Sequence, residues 1–144
     1  MLSFSKKILN FLANHAKSMR YDLTRLPSSG SSLKIGDIIF FKYHRPGNHE
    51  ITMALVVKPV IKEARTGNEL VSAVKIPMAS FFSQKVIDNL YSNRRTALPE
   101  DNYRTYILGR MEHIRRVEKS EEQRLQDEVS NMFDDSMRGG GIDE

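Results

Sequence analysis

Six arginines fall between residues 94 and 116 of this 144-residue chain: Arg94, Arg95, Arg104, Arg110, Arg115 and Arg116, with Tyr103 and Tyr106 among them. Guanidinium forks bind phosphates and tyrosine rings stack on bases, so this stretch could bind nucleic acid. Two other readings fit the same residues: a solvated basic surface, or a surface that pairs with an acidic protein partner. Four histidines offer a second chemistry. His44 and His49, with Asp37 and Glu50, are of the types that ligate zinc or manganese, but no ligand-motif spacing is met. His15 belongs to an apolar helical row and His113 to a basic segment. The sequence has no cysteine, no G-x-S-x-G and no glycine-rich phosphate loop of either common type, which excludes thiol chemistry and those signatures. The expectation is a binding protein rather than an enzyme, with no catalytic residue, metal or cofactor assigned.

Such a basic segment acts only if regular elements hold it, and the apolar pattern supplies them. Phe4, Ile8, Leu12, His15 and Met19 recur at helical spacing behind Ser3, a capping residue type, with Phe11 beside them. Residues 1–26 therefore read as an N-terminal helical arm, and the Ser- and Gly-rich residues 27–33 as a linker. Residues 34–118 read as the domain. Ile38 to Tyr43, Ile51 to Ile61 and Leu70 to Ile76 have the β-branched and aromatic density of strands. Pro77 opens a helix to about Ser92, with Met78, Phe82, Val86 and Leu90 in one row, broadened by Phe81 and Ile87. After a polar loop, Tyr103 to Leu108 is a returning strand, while Met111 to Val117 fits strand or helix equally.

Residues 119–144 read as an acidic helix and tail. Ser120 and Gln123 have the spacing of a capping box, Leu125, Val129, Met132 and Phe133 form a narrow stripe, and Gly139 to Gly141 is expected to end the helix. The fold class is thus α+β: a small SH3-like β-barrel with a crossing helix, flanked by two amphipathic helices.

Charge divides along the chain. Residues 1–34 hold six Lys/Arg against one acid and residues 119–144 three against eight, within a net charge of +4. Opposite ends of this kind pair either within one molecule or head to tail between copies. Phe4, Ile8, Leu12, Leu125, Val129 and Phe133 would supply the apolar part of contacts with neighbouring subunits. No apolar run approaches the roughly 20 residues of a membrane span. Asn10, Asn14, His15 and Lys17 interrupt any secretory core, so membrane insertion is not expected.

The run Lys34 to Tyr43 resembles the opening of small SH3-like barrel proteins encoded by large tailed bacteriophages. An apolar second strand (Ala54 to Val57), a glycine-led strand running into a helix (Gly67 to Leu90) and the closing Tyr103 to Tyr106 extend the likeness, which excludes both arms. The resemblance implies a phage protein of the accessory or virion kind, placed in the virion or the host cytoplasm, with other subunits or nucleic acid as partners. The closing strand is also similar to the last strand of WYL-type regulatory domains. Tryptophan is absent from the chain, however, so their signature and the ligand sensing it implies do not carry over.

Overall fold

The computed structural model describes residues 4–26, 32–96 and 102–142, the last segment with side chains as far as Phe133. Most of the expected linker (27–31) and the end of the polar loop (97–101) lie outside the described residues. Over the described residues the architecture is α+β: three helices and an open antiparallel sheet of seven strands. In chain order these are α1 (Phe4–Ser18), β1 (Tyr21–Arg25), β2 (Ile38–Tyr43), β3 (Ile51–Val56), β4 (Ile61–Lys62), β5 (Glu69–Ile76), α2 (Gln84–Asn93), β6 (Arg104–Ile107), β7 (Met111–Lys119) and α3 (Glu121–Ile142).

The sheet runs β1-β7-β2-β3-β5, with β4 beside β5 on the β3 edge and β6 on its opposite edge, since Leu70 pairs with both Ile61 and Ile107. A single 3-10 turn, Leu108–Arg110, joins β6 to β7. In a flat sheet these strands, four neighbours apart, would lie roughly 19 Å from each other. Four residue steps of 3-10 helix advance only about 8 Å. The sheet must therefore curl, and the Tyr43 hydroxyl on β2 accepts a 3.2 Å bond from the Ile107 N–H at the end of β6.

Curling gives two apolar compartments. In β2 successive side chains alternate between them: Ile39 and Phe41 face the enclosed side with Val56, Val71 and Tyr106, while Ile38 and Phe40 face the outer side. All four of these side chains are fully buried, which is why the first part of this strand reads as an unbroken apolar run.

The outer side is covered by α1 and by the Met78–Phe82 turn with α2, through Leu9, Leu12, Ala16, Phe81 and Ile87. This corrects three expectations. First, α1 is part of the domain: Leu12 is 2% exposed within its core, so it is not available for the subunit contact expected of it. Second, residues 21–25 of that expected arm form β1, paired along β7 from Tyr21↔Lys119 to Arg25↔Arg115. Third, the helix expected from Pro77 is broken at Ser83, whose hydroxyl caps α2 by accepting from the Val86 N–H. The break rotates the buried face, leaving Phe81 and Ile87 fully buried but Phe82 and Val86 about half-exposed.

Two further points are settled. Residues 111–119 are strand, with a bulge that shifts the β2 pairing between Phe40 and Lys42 and puts His113 at φ 54°. The third helix runs through the glycines expected to stop it, to Ile142.

Candidate interaction surface

The six arginines sit at three places: the end of α2, the β6 strand and following turn, and β7. On β7, the Arg116 guanidinium lies 3.1 Å from the buried Asp37 carboxylate and 3.5 Å from Glu118, and also donates to the Ser32 carbonyl. It ties the start of β2 to β7. Arg115 is opposite Arg25 in the β1–β7 register and donates to the Ile114 carbonyl at 3.2 Å; burial, then the Arg25 charge, lowers its pKa. Arg94 lies 3.8 Å over the Tyr91 ring and donates to the Tyr91 carbonyl at 2.7 Å, closing the end of α2. Arg95, Arg104 and Arg110 are exposed.

Neither tyrosine is presented as a stacking platform. Tyr106 packs in the enclosed core, 5.0 Å from Phe41 and 5.2 Å from Tyr43 by ring centroids. The Lys58 ammonium sits 4.1 Å over the Tyr103 ring and donates to its hydroxyl at 2.6 Å. The segment that reads as one basic, aromatic unit in sequence is therefore divided between structural bonds and separate exposed positions.

The histidines do not gather either. His44 pairs with Glu112 at 2.9 Å, at the opposite end of β2 from Asp37. Among the described residues no group of three or more His, Cys, Asp or Glu is placed to hold a metal ion. Burial is the main cause that holds the His113 pKa below the ordinary value, with nearby cations adding to it and Glu112 opposing. His15 lies against Phe81 and Phe82, at 5.7 and 4.7 Å, with its Nε2 buried and unpartnered.

A polar cleft of about 460 Å³ opens where the end of α1, α2, the end of β7 and the start of α3 meet. The Tyr21 hydroxyl donates to Asp88 at 2.6 Å, and the Gln84 amide donates to Asp88 at 3.0 Å and to the Met19 carbonyl at 3.1 Å. Burial first, then Asp88, pushes the Tyr21 pKa well above its ordinary value, so the phenol stays a donor at neutral pH. On the α3 side, Arg20 donates to Gln123 at 3.3 Å, Lys119 donates to Asp127 at 2.8 Å, and the Ser120 N–H donates to the Arg20 carbonyl at 2.9 Å. Ser120 also caps α3 by accepting from the Gln123 N–H at 3.2 Å. The first set ties α2 to the residues after α1, and the α3-side bonds fix how α3 leaves the domain.

From its second turn onward, α3 shows an uncovered apolar stripe: Leu125, Val129, Met132 and Phe133 are 55–70% exposed. At 1.5 Å per residue the helix is about 33 Å long. A second uncovered face belongs to α1 and its neighbour. Ser5, Leu9, Leu12 and Ala16 face the core, which leaves Phe4, Ile8, Phe11 and His15 as another row at helical spacing. Phe4 and Phe11 are 65% and 60% exposed, and Phe11 lies 6.2 Å from Phe82 by ring centroids. Of the residues expected to make subunit contacts, Phe4, Leu125, Val129 and Phe133 are thus exposed, Ile8 is partly buried against the core, and Leu12 is buried. Sequence reasoning missed Phe11 and Phe82 as surface groups. The signal was available in α1, which has more apolar residues than one stripe can hold.

Comparison with protein-family models, curated proteins and solved structures gives no match for this chain.

Proposed function

We propose that the chain is a non-catalytic adaptor that holds neighbouring protein subunits, as a structural component of a tailed-phage particle, with α3 as its gripping element. The observation that carries this reading is the exposed stripe of Leu125, Val129, Met132 and Phe133 on a helix launched from a fixed joint. Scattered apolar side chains are ordinary on a protein surface, whereas four large ones aligned on one helix face are a docking row. The phage setting, in the virion or the host cytoplasm, rests on the resemblance of residues 34–117. The finer fold reading, a small SH3-like barrel with a crossing helix, is supported by the tight β6–β7 return and the enclosed core. A non-enzymatic role is supported by the cleft, whose phenol, amide and carboxylate bond one another.

The test is a chain ending at Ser120. It is expected to keep the far-UV and near-UV circular dichroism of the sheet domain but to be missing from assembled particles; incorporation at the normal level would refute the adaptor reading.

A second reading, a nucleic-acid-binding accessory for phage replication, transcription or packaging, is favoured by the exposure of Arg95, Arg104 and Arg110 and by the net charge of +4. Gel shifts at two salt concentrations test it, because phosphate contacts weaken steeply with salt. No shift even at low salt removes it.

A further inference from the structure

We infer that the occupant of the α3 stripe is a second copy of this chain, seated through the exposed face formed by Phe4, Phe11 and Phe82. The inference rests on the adaptor reading and names the partner. Both surfaces are rows at helical spacing, Phe4, Ile8, Phe11 and His15 on one helix and Leu125, Val129, Met132 and Phe133 on the other, and such rows interdigitate when two helices pack. Their charges are complementary. The first helix carries Lys6, Lys7 and Lys17 and no acid, while residues 121–133 carry four acids, of which Asp127 is paired with Lys119, and one arginine. The charges border the rows: Lys7 is one turn before Phe11, Glu122 one turn before Leu125, and Glu128 one turn before Met132.

The two faces do not meet within one chain. β7 ends at Lys119 and α3 begins at Glu121, so a single residue joins them. The Ser120–Arg20, Arg20–Gln123 and Lys119–Asp127 bonds then hold the first two turns of α3 at the far end of α1 from Phe4. Phe4, Phe11 and Phe82 on one face and the α3 stripe on the other stay exposed in the isolated chain, and each copy presents one of each. A reciprocal exchange satisfies both rows in a closed pair, and a one-way exchange propagates head to tail.

The experiment uses the full chain and two point variants, Phe11→Asp on the α1 row and Val129→Asp on the α3 row. Both positions are more than half exposed, so each variant should keep the wild-type circular dichroism. Light scattering coupled to size exclusion is expected to give the wild type at least twice the chain mass of 16.6 kDa. Each variant alone loses at least about tenfold in association, the effect of placing a charge in an apolar contact. An equimolar mixture of the two variants recovers a pair, because each supplies the row the other lacks. A wild type that remains monomeric to about 100 μM overturns the inference. So does a Val129→Asp variant that associates like the wild type, or a mixture in which no pair forms. A monomeric wild type whose α3 is still required in particles leaves the adaptor reading standing with a different partner. A dispensable α3 sinks the adaptor reading itself.

Discussion

Replacing Gly36 by alanine strains the structure in two separable ways. Gly36 has φ +90°, and its N–H donates to the Val56 carbonyl at 2.8 Å, pinning the turn that opens β2. An L-residue in the left-handed half of backbone space costs about 1–2 kcal/mol. A Cβ at this position would also stand 2.6 Å from Arg95 Cγ and 3.1 Å from the Arg94 carbonyl oxygen. Relieving such a contact costs about 1–3 kcal/mol more, making the total about 2–5 kcal/mol. Gly47 and Gly67 serve as internal controls: both have φ +74°, and a Cβ on either meets nothing within 4 Å. Their alanine variants should show only the backbone cost, and the stiffer unfolded chain returns about 0.4–1 kcal/mol in all three. Urea unfolding followed by far-UV circular dichroism measures each. In an Arg95→Ala background, where Cγ is gone, Gly36→Ala should cost about 1 kcal/mol less. The reasoning fails if Gly36→Ala is no worse than Gly47→Ala, or if removing the Arg95 stem changes nothing.

Two other outcomes are expected. Leu12→Ala should lose about 2–5 kcal/mol as a large-to-small change in a closed core, whereas Phe11→Ala, on the exposed row, should stay within about 0.5 kcal/mol when the chain is dilute enough to be monomeric; equal losses in denaturant titrations there would mean that α1 is not seated as described. At His113, burial lowers the folded-state pKa beneath the unfolded value of 6.5. The unfolded chain therefore binds the proton more readily, and the contribution is complete above that value and is lost as pH falls below it. His113→Asn tolerates the left-handed backbone and has nothing to titrate there, so its stability should fall less than that of the wild type between pH 7.5 and 5.5. An identical fall would place the acid sensitivity elsewhere.

The elements with unambiguous periodicity were legible in the sequence. β2, β3 and β5 follow from runs of β-branched and aromatic residues, and α3 from a serine cap and a stripe. Where the reading erred, two patterns competed in one segment. In α1, apolar residues occupy both the 5/9/12/16 row and the 4/8/11/15 row, and only packing decides which row the sheet takes. In 77–92 the row through Phe82 and Val86 assumed one continuous helix, while Ser83 restarts the register by capping α2. β1 was hidden because Tyr21 to Arg25 is short and follows a strong helix; its alternation of Tyr21 and Leu23 with Asp22 and Thr24 was the missed signal. The basic segment misled for a different reason. Proximity in sequence stood in for proximity in space, and a strand, a turn and a strand that leads back to β2 divide those arginines between structural bonds and scattered exposure.

That division shifts weight from the basic stretch to the helix that follows it. Arg116, bonded to the buried Asp37, locks β7, the strand from which α3 is launched. β7 carries the constraint onward: its last residue, Lys119, holds Asp127, and Ser120 is bonded to Arg20 in the turn after α1. A helix presented for docking loses least on binding when its direction is already fixed, since ordering a flexible arm must be set against every contact it makes. The polar cleft thus serves the apolar stripe. Loosening its α3 side by Lys119→Met with Gln123→Ala removes the bonds to Asp127 and Arg20 and leaves the docking residues untouched, yet should weaken association by freeing the helix that displays them. Unchanged association in that double variant would show that the stripe acts without its joint.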